Sequence, residues 1–72
     1  MAVGRPSQFR ILVVDDEEEL LLNLEDLLRD EGYQVTTAGS GEEALAACDE
    51  EPFHLVITDH RVHFERHERT AE

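Results

Sequence analysis

The chain is 72 residues long and carries 18 acidic residues against 6 basic ones, a formal net charge of −12. This balance argues against nucleic acid or anionic lipid as direct partners and favours a cation site or a basic partner surface. No apolar run is long enough for a signal peptide or a membrane span, and the single cysteine cannot form an internal disulfide, so we expect a cytoplasmic protein.

The amino-terminal residues predict a leader followed by a buried strand. Residues 1–9 contain Gly4 and Pro6, which interrupt regular structure, and we expect a flexible leader there. Residues 10–14 read Arg-Ile-Leu-Val-Val, and a short continuous apolar run of this kind is typical of a strand buried on both faces of a parallel sheet.

The next segment, residues 17–30, has the period of an amphipathic helix. Its apolar stripe comprises Leu20, Leu24, Leu27 and Leu28, widened by Leu21. Asp16 is the predicted N-cap, and Gly32 is the predicted C-terminal stop.

A second strand, helix and strand follow. Residues 33–37 are rich in β-formers and predict a less buried strand. Ser40 is expected to cap a helix over residues 41–50, with Glu43 completing a capping box. Cys48 lies on the apolar face of this helix and is expected to be a small core residue. Residues 54–58, His-Leu-Val-Ile-Thr, predict a third strand that ends at Asp59.

The resulting β-α-β-α-β alternation predicts an α/β fold with a parallel sheet, and it brings three acids together. Asp15 and Asp16 end the first strand and Asp59 ends the third, and ligands of open parallel sheets bind beyond the carboxyl ends of the strands. Clustered carboxylates repel one another and favour a hard cation, Mg²⁺ or alternatively Mn²⁺. The structural alternative is that Asp15 and Asp16 only cap the first helix and Asp59 only begins a turn.

These motifs resemble those of the receiver domain of two-component response regulators. The matching segments, which run in order from about residue 10 to residue 61, are Ile-Leu-Val-Val-Asp-Asp-Glu, Gly-Tyr-Gln-Val, Ala-Gly-Ser-Gly-Glu-Glu-Ala-Leu and Leu-Val-Ile-Thr-Asp. The resemblance implies a partial flavodoxin-like fold with sheet order 2-1-3, in which residues 10–61 are the N-terminal half of a receiver domain. The predicted segments are thus 1–9, 10–61 and a divergent polar tail, 62–72.

The resemblance also implies roles for individual residues. Asp59 would accept a phosphoryl group from a sensor histidine kinase or a phosphotransfer protein. Asp15, Asp16 and Asp59, together with the backbone carbonyl of Arg61, would hold Mg²⁺. The module would be a signalling protein and not an enzyme.

The sequence departs from the family pattern after Asp59. It contains no lysine, Thr70 is its only hydroxyl residue beyond Asp59, and His63 stands where family members usually have proline. A truncation or frameshift near Val62 is our hypothesis for this departure. An exposed edge of the third strand would then favour self-association.

Two other functions remain open at this point. The chain could be a phosphorylation-silent interaction fragment that docks a kinase or regulator, or an inactive truncated gene product. A zinc site formed by His63 and His67, four residues apart, is a weaker alternative because no third ligand is evident.

Overall fold

The elements predicted from the sequence form a three-stranded parallel sheet with one helix on each face. A computed structural model describes residues 8–59 and residue 62. In chain order its elements are β1 (Arg10–Val14), α1 (Glu18–Asp30), β2 (Gln34–Ala38), α2 (Gly41–Glu50) and β3 (Leu55–Thr58). The strand order is β2-β1-β3. The α/β class, the alternation and the 2-1-3 order are therefore confirmed.

The predicted leader and tail fall mostly outside the described residues, which exclude residues 1–7, residues 60–61 and residues 63–72. The segment boundaries 1–9, 10–61 and 62–72 stay predictions. At their margins, Phe9 stacks on the His54 ring at a centroid distance of 4.8 Å, and Val62 packs against a core cluster.

The central strand β1 is buried on both faces, as its apolar run predicts. On the α1 side the buried cluster consists of Ile11, Val13, Leu21 and Val35. On the α2 side it consists of Leu12, Val14, Ala38 and Ala44. The alternation of side chains along β1 therefore supplies both halves of the core, because neighbouring residues of a strand point to opposite faces of the sheet.

The helix α1 packs on the sheet through a narrower seam than the sequence predicts. Leu21 is buried, and Leu24 and Leu28 pack against its cluster. Leu20 is 37% exposed and Leu27 is 63% exposed. The prediction that both belong to the core stripe was wrong, because a helix on an open three-stranded sheet buries one seam and leaves its flanks in solvent.

Both ends of α1 show how the sequence sets its length. The N-cap residue is Glu17, without a side-chain cap, so the prediction of Asp16 as N-cap was wrong. At the other end, Gly32 has φ 98°, its N–H donates to the Arg29 carbonyl, and the Tyr33 N–H donates to that of Leu28. This pair of bonds is a Schellman motif and confirms Gly32 as the stop, because only glycine adopts positive φ at little cost.

The helix α2 begins as predicted but differs from the prediction in two details. The Ser40 side chain accepts a hydrogen bond from the Glu43 N–H at 3.2 Å. The Glu43 carboxylate reaches back to the Gly39 N–H at 2.7 Å, one residue before the position that a capping box would use. Cys48 is exposed, so its assignment to the core was wrong.

Candidate functional site

Two of the three predicted site acids follow directly on paired strands at the carboxyl edge of the sheet. Val14 of β1 is in register with Thr58 of β3, and the residues immediately after this pair are Asp15 and Asp59. The Asp59 N–H donates to the Val14 carbonyl at 3.3 Å. On the other side of β1, the Asp15 N–H donates to the Ala38 carbonyl at 3.1 Å. Asp15 therefore lies at the centre of this edge, with the ends of β2 and β3 on either side.

Asp15 is a buried acid. Its exposed fraction is 4%, and no other charged residue among the described positions is buried. One carboxylate oxygen, Oδ1, accepts a hydrogen bond from the Glu17 N–H at 2.9 Å. This bond fixes the side chain against the first turn of α1 and leaves lone pairs of the carboxylate for another ligand. Burying a carboxylate is costly unless it is paired or coordinates a cation, so the burial of Asp15 favours a role in binding a cation.

Asp16, in contrast, is exposed and lines an open cleft of about 380 Å³. The cleft is bounded by the ends of β1 and β2 and by the first turns of the helices that follow them. Its lining residues are Asp15, Asp16, Glu18, Leu21, Leu22, Thr37, Gly39 and Glu43. Four of these are acids and none is a base, so the cleft has a strongly negative potential that favours a cation.

Asp59 lies on the opposite side of β1 from this cleft and does not line it. The residue is partly buried. Its backbone carbonyl accepts hydrogen bonds from the Thr58 hydroxyl at 3.2 Å and from the Val62 N–H at 3.0 Å. Val62 in turn packs against the α2-side core. Arg61, the predicted carbonyl ligand, lies outside the described residues.

The described residues suit Mg²⁺ in their chemistry, although they do not form a complete protein cage. Within residues 8–59 and residue 62, no three His, Cys, Asp or Glu side chains are arranged to hold a metal ion on their own. Mg²⁺ usually keeps several water ligands and takes only one or two carboxylates from the protein. Asp15 and Asp16 are consecutive oxygen donors in an acid-lined crevice, and donors of this type fit a hard cation.

Two acids of the cleft have a role that the sequence reasoning missed. Neither Glu18 nor Glu43 was among the predicted site residues, and Glu43 was assigned to a helix cap, yet both line the cleft beside Asp15 and Asp16. The order of the elements already indicates this role, because in a parallel β/α unit every helix begins at the carboxyl edge of the strand before it. Acids in the first turns of both helices are therefore directed to the same crevice as the acids that end β1.

The other sequence candidates are elsewhere. His54 lies at the opposite, amino edge of the sheet, where its Nδ1 accepts the Arg10 N–H at 2.9 Å. That bond gives it a structural role. His60, His63 and His67 lie outside the described residues, so the zinc alternative stays a prediction. None of the described helices combines the length and the hydropathy that crossing a membrane would require.

Comparison with known proteins agrees with this arrangement. The profile of the response regulator receiver domain matches residues 11–63. The chain is 42% identical over 53 residues to a probable chemotaxis protein CheY of Rhizobium etli, an alignment that covers 72% of this chain and 41% of that protein. It is 46% identical over 50 residues to the alkaline phosphatase synthesis transcriptional regulatory protein PhoP of Bacillus subtilis, covering 69% of this chain and 21% of that protein.

Solved structures show the same fold. The chemotaxis response regulator CheY4 of Vibrio cholerae superposes with a TM-score of 0.73 at 35% identity, covering 75% of this chain and 45% of that one. A response regulator receiver domain protein from Clostridium thermocellum gives a TM-score of 0.71 at 39% identity, covering 75% and 44%. The chain spans less than half the length of these relatives.

The chain belongs to the response regulator receiver domain family. Receiver domains are signalling modules of two-component systems, they interact with histidine kinases or phosphotransfer proteins, and as a family they bind Mg²⁺ at the phosphorylation site.

Proposed function

We propose that this chain is a phosphoryl-accepting module of a two-component phosphorelay, with Asp59 as the acceptor. The observation that carries the proposal is the placement of Asp59 directly after β3, at the same sheet edge as the buried Asp15. A nucleophilic carboxylate at the end of one strand and a cation-binding acid pair at the end of its neighbour are the two parts that phosphoryl transfer to an aspartate requires.

The chemical step is a displacement at phosphorus. A carboxylate oxygen of Asp59 forms a bond to the phosphorus of a phosphohistidine, and the phosphorus–nitrogen bond breaks. The imidazole leaves with the electron pair of that bond and takes up a proton, and Asp59 becomes an acylphosphate. The hydrogen bonds to the Asp59 backbone carbonyl and the pairing of β3 with β1 hold the attacking residue in place. Positioning of this kind supplies a large part of the rate enhancement in phosphoryl transfer.

We propose that Mg²⁺, with Mn²⁺ as a substitute, is held by Asp15, Asp16 and Asp59 together with the Arg61 carbonyl, and that water ligands complete its coordination, since the three carboxylates do not form a metal cage by themselves. The bound ion supplies charge neutralisation for the equatorial oxygens of the phosphoryl group. The contribution of the chain is orientation: the Glu17 N–H holds one oxygen of Asp15, and exposed Asp16 remains accessible from the cleft.

The partners follow from this function. The donor would be a sensor histidine kinase or a phosphotransfer protein, and the strongly negative charge supports a partner with a basic docking surface and no direct contact with nucleic acid or membrane. A cytoplasmic location and self-association through a sheet edge belong to the same proposal. The module is a signalling protein that is itself modified and not an enzyme that turns over a separate substrate.

A second candidate function is supported by the surface of α1. Leu20, Leu22 and Leu27 are exposed large apolar side chains on this helix, and such groups favour a protein contact. In this reading the chain docks a kinase or regulator through α1 without being phosphorylated.

Intact-mass measurement with acetyl phosphate distinguishes the two functions. The first predicts one phosphoryl adduct that requires Mg²⁺ and is absent in Asp59→Asn. Asp30→Asn, a substitution of an exposed acid at the far end of α1, is the matched control and should keep the adduct. A folded protein that binds a kinase but forms no adduct supports the second function and contradicts the first.

A further inference from the structure

The described part of the chain holds two arginines and no lysine, and both arginines, Arg10 and Arg29, line one cavity of about 280 Å³. The cavity lies at the amino end of β2. Ile11 and Val35 belong to the α1-side core, so their neighbours Arg10 and Thr36, which also line the cavity, point to the α2 face of the sheet. Two positive charges therefore meet at one concave place in a chain whose formal net charge is −12.

Arg29 comes from the last turn of α1 and reaches this cavity around the outer edge of β2. The Gln34 N–H donates to the Phe9 carbonyl just before β1, so the backbone groups of the next residue, Val35, point away from β1. The Arg29 Nη2 donates to the Val35 carbonyl at 3.0 Å and lies 2.9 Å from a carboxylate oxygen of Glu25. These two contacts hold the guanidinium group at the rim of the cavity.

Arg10 is held by Glu51, which lines the same cavity. The Arg10 Nη1 donates to the Glu51 carboxylate, and both side chains remain accessible to solvent. A guanidinium group has five N–H donors in a rigid planar arrangement. The contacts found among the described residues use one nitrogen of each group, Nη1 of Arg10 and Nη2 of Arg29, so the other nitrogens keep their donors for a ligand.

We infer that this cavity binds a small aromatic carboxylate. Its charged lining residues are Arg10, Arg29 and Glu51, two positive and one negative. The excess of one positive charge favours a monoanion over a dianion such as phosphate, which Glu51 would repel more strongly. A carboxylate also matches the planar guanidinium group, to which it can bind through two parallel hydrogen bonds.

Two aromatic rings determine the apolar part of the ligand. Tyr33 and Phe53 line the cavity and are partly buried. Tyr33 packs against the α1-side core and Phe53 against the α2-side core, so packing holds both rings. Aromatic side chains pair favourably with another ring in stacked or edge-to-face contact. The cavity volume is just below the ~300–1,000 Å³ of pockets for drug-sized ligands, so the ligand is expected to be a single ring with its carboxylate.

The cavity is separate from the acid cleft. Arg10 begins β1 and Asp15 follows its last residue, so ~16 Å separate the two positions along the strand. None of the residues that line the cavity also lines the acid cleft. Binding of a carboxylate to the two arginines is therefore expected to be independent of Mg²⁺.

Titration of the ¹⁵N-labelled chain with benzoate, followed by two-dimensional NMR in the presence of EDTA, tests the binding. We expect saturable shifts of the Val35 and Thr36 amide signals with a dissociation constant on the order of 1–10 mM, weak because both guanidinium groups are solvent-accessible. Benzamide, which has the same shape without the charge, should bind at least about tenfold more weakly. No saturable shift up to about 50 mM benzoate, equal binding of benzamide, or binding only when Mg²⁺ replaces EDTA overturns the proposal.

Three variants test the residues. Glu51→Gln should bind benzoate about threefold more tightly, because it removes the carboxylate that competes for Arg10, and tighter binding cannot result from loss of folding. The matched control is Glu42→Gln, which makes the same charge change at an exposed position in the first turn of α2 and should leave the affinity unchanged. Arg29→Gln should weaken binding about fivefold, with far-UV circular dichroism to check that the variant is folded. Equal affinities of Glu51→Gln and Glu42→Gln, or unchanged binding by a folded Arg29→Gln, contradict the site.

Discussion

The sharpest stability prediction compares two leucines of α1 that the sequence pattern treats alike. Leu21 is 8% exposed and packs in the α1-side core, and Leu27 is 63% exposed. Leu21→Ala should cost about 2–4 kcal/mol, near the middle of the range for buried leucines, since the removed atoms leave a cavity between helix and sheet. Leu27→Ala should cost less than about 1 kcal/mol, since little area is lost and alanine favours the helix.

The loss at Leu21 is large for a protein of this size. A chain of 72 residues has an expected stability of roughly 4–11 kcal/mol, so Leu21→Ala removes a substantial part of it. Urea denaturation followed by circular dichroism should show the midpoint falling by ~2–4 M, given a slope of ~1 kcal/mol/M for a small domain. Equal midpoints for the two variants would refute the assignment of the core seam to Leu21, Leu24 and Leu28.

Three further predictions concern the helix ends and the acid site. Gly32→Ala should cost ~1–2 kcal/mol because it places a side chain at φ 98°, and an unchanged denaturation midpoint would contradict the Schellman motif. Ser40→Ala should cost ~1 kcal/mol through loss of the cap, and Ser40→Asp should restore most of it; failure of the rescue would count against capping. Mg²⁺ at ten times its dissociation constant should stabilise the chain by ~1.4 kcal/mol, or roughly 6–11 °C in Tm. Asp16→Asn should reduce this increment and Asp30→Asn should not, and equal increments in both would contradict the metal site.

The order of the elements was predictable from the sequence because local signals agree along the chain. The apolar run of residues 11–14 matches a strand buried on both faces, and Gly32 and Ser40 mark helix ends by mechanisms that act within a few residues. The 2-1-3 order came from the family resemblance, and the structure confirms it.

The details that could not be predicted depend on what covers each element. The period of α1 does not distinguish Leu27 from Leu28, because both lie within a wide apolar stripe and only the sheet decides which is buried. Cys48 was assigned to the core for the same reason. Its exposure shows that α2 contacts the sheet mainly through Ala44, with Ala47 packing at the margin of the cluster.

The grouping of acids at the carboxyl edge of the sheet was predictable from the sequence, but the environment of each acid was not. Asp15 and Asp16 are consecutive in sequence, yet one is buried with an oxygen bonded to Glu17 and the other is exposed. Adjacent residues at the end of a strand point in opposite directions, so two aspartates with the same side chain lie in different environments. The contribution of Glu43 to the cleft depends on where α2 begins relative to β1, which is a property of the assembled sheet.

The most direct test of the central claim locates the phosphoryl group. After incubation with Mg²⁺ and acetyl phosphate, borohydride reduction converts an aspartyl acylphosphate to homoserine, and peptide mass spectrometry identifies the modified residue. We predict homoserine at position 59 alone and none when Mg²⁺ is chelated. Homoserine at Asp15, Asp16 or another acid with position 59 unmodified, or no modification in a folded chain, would contradict the assignment of Asp59 as the phosphoryl acceptor.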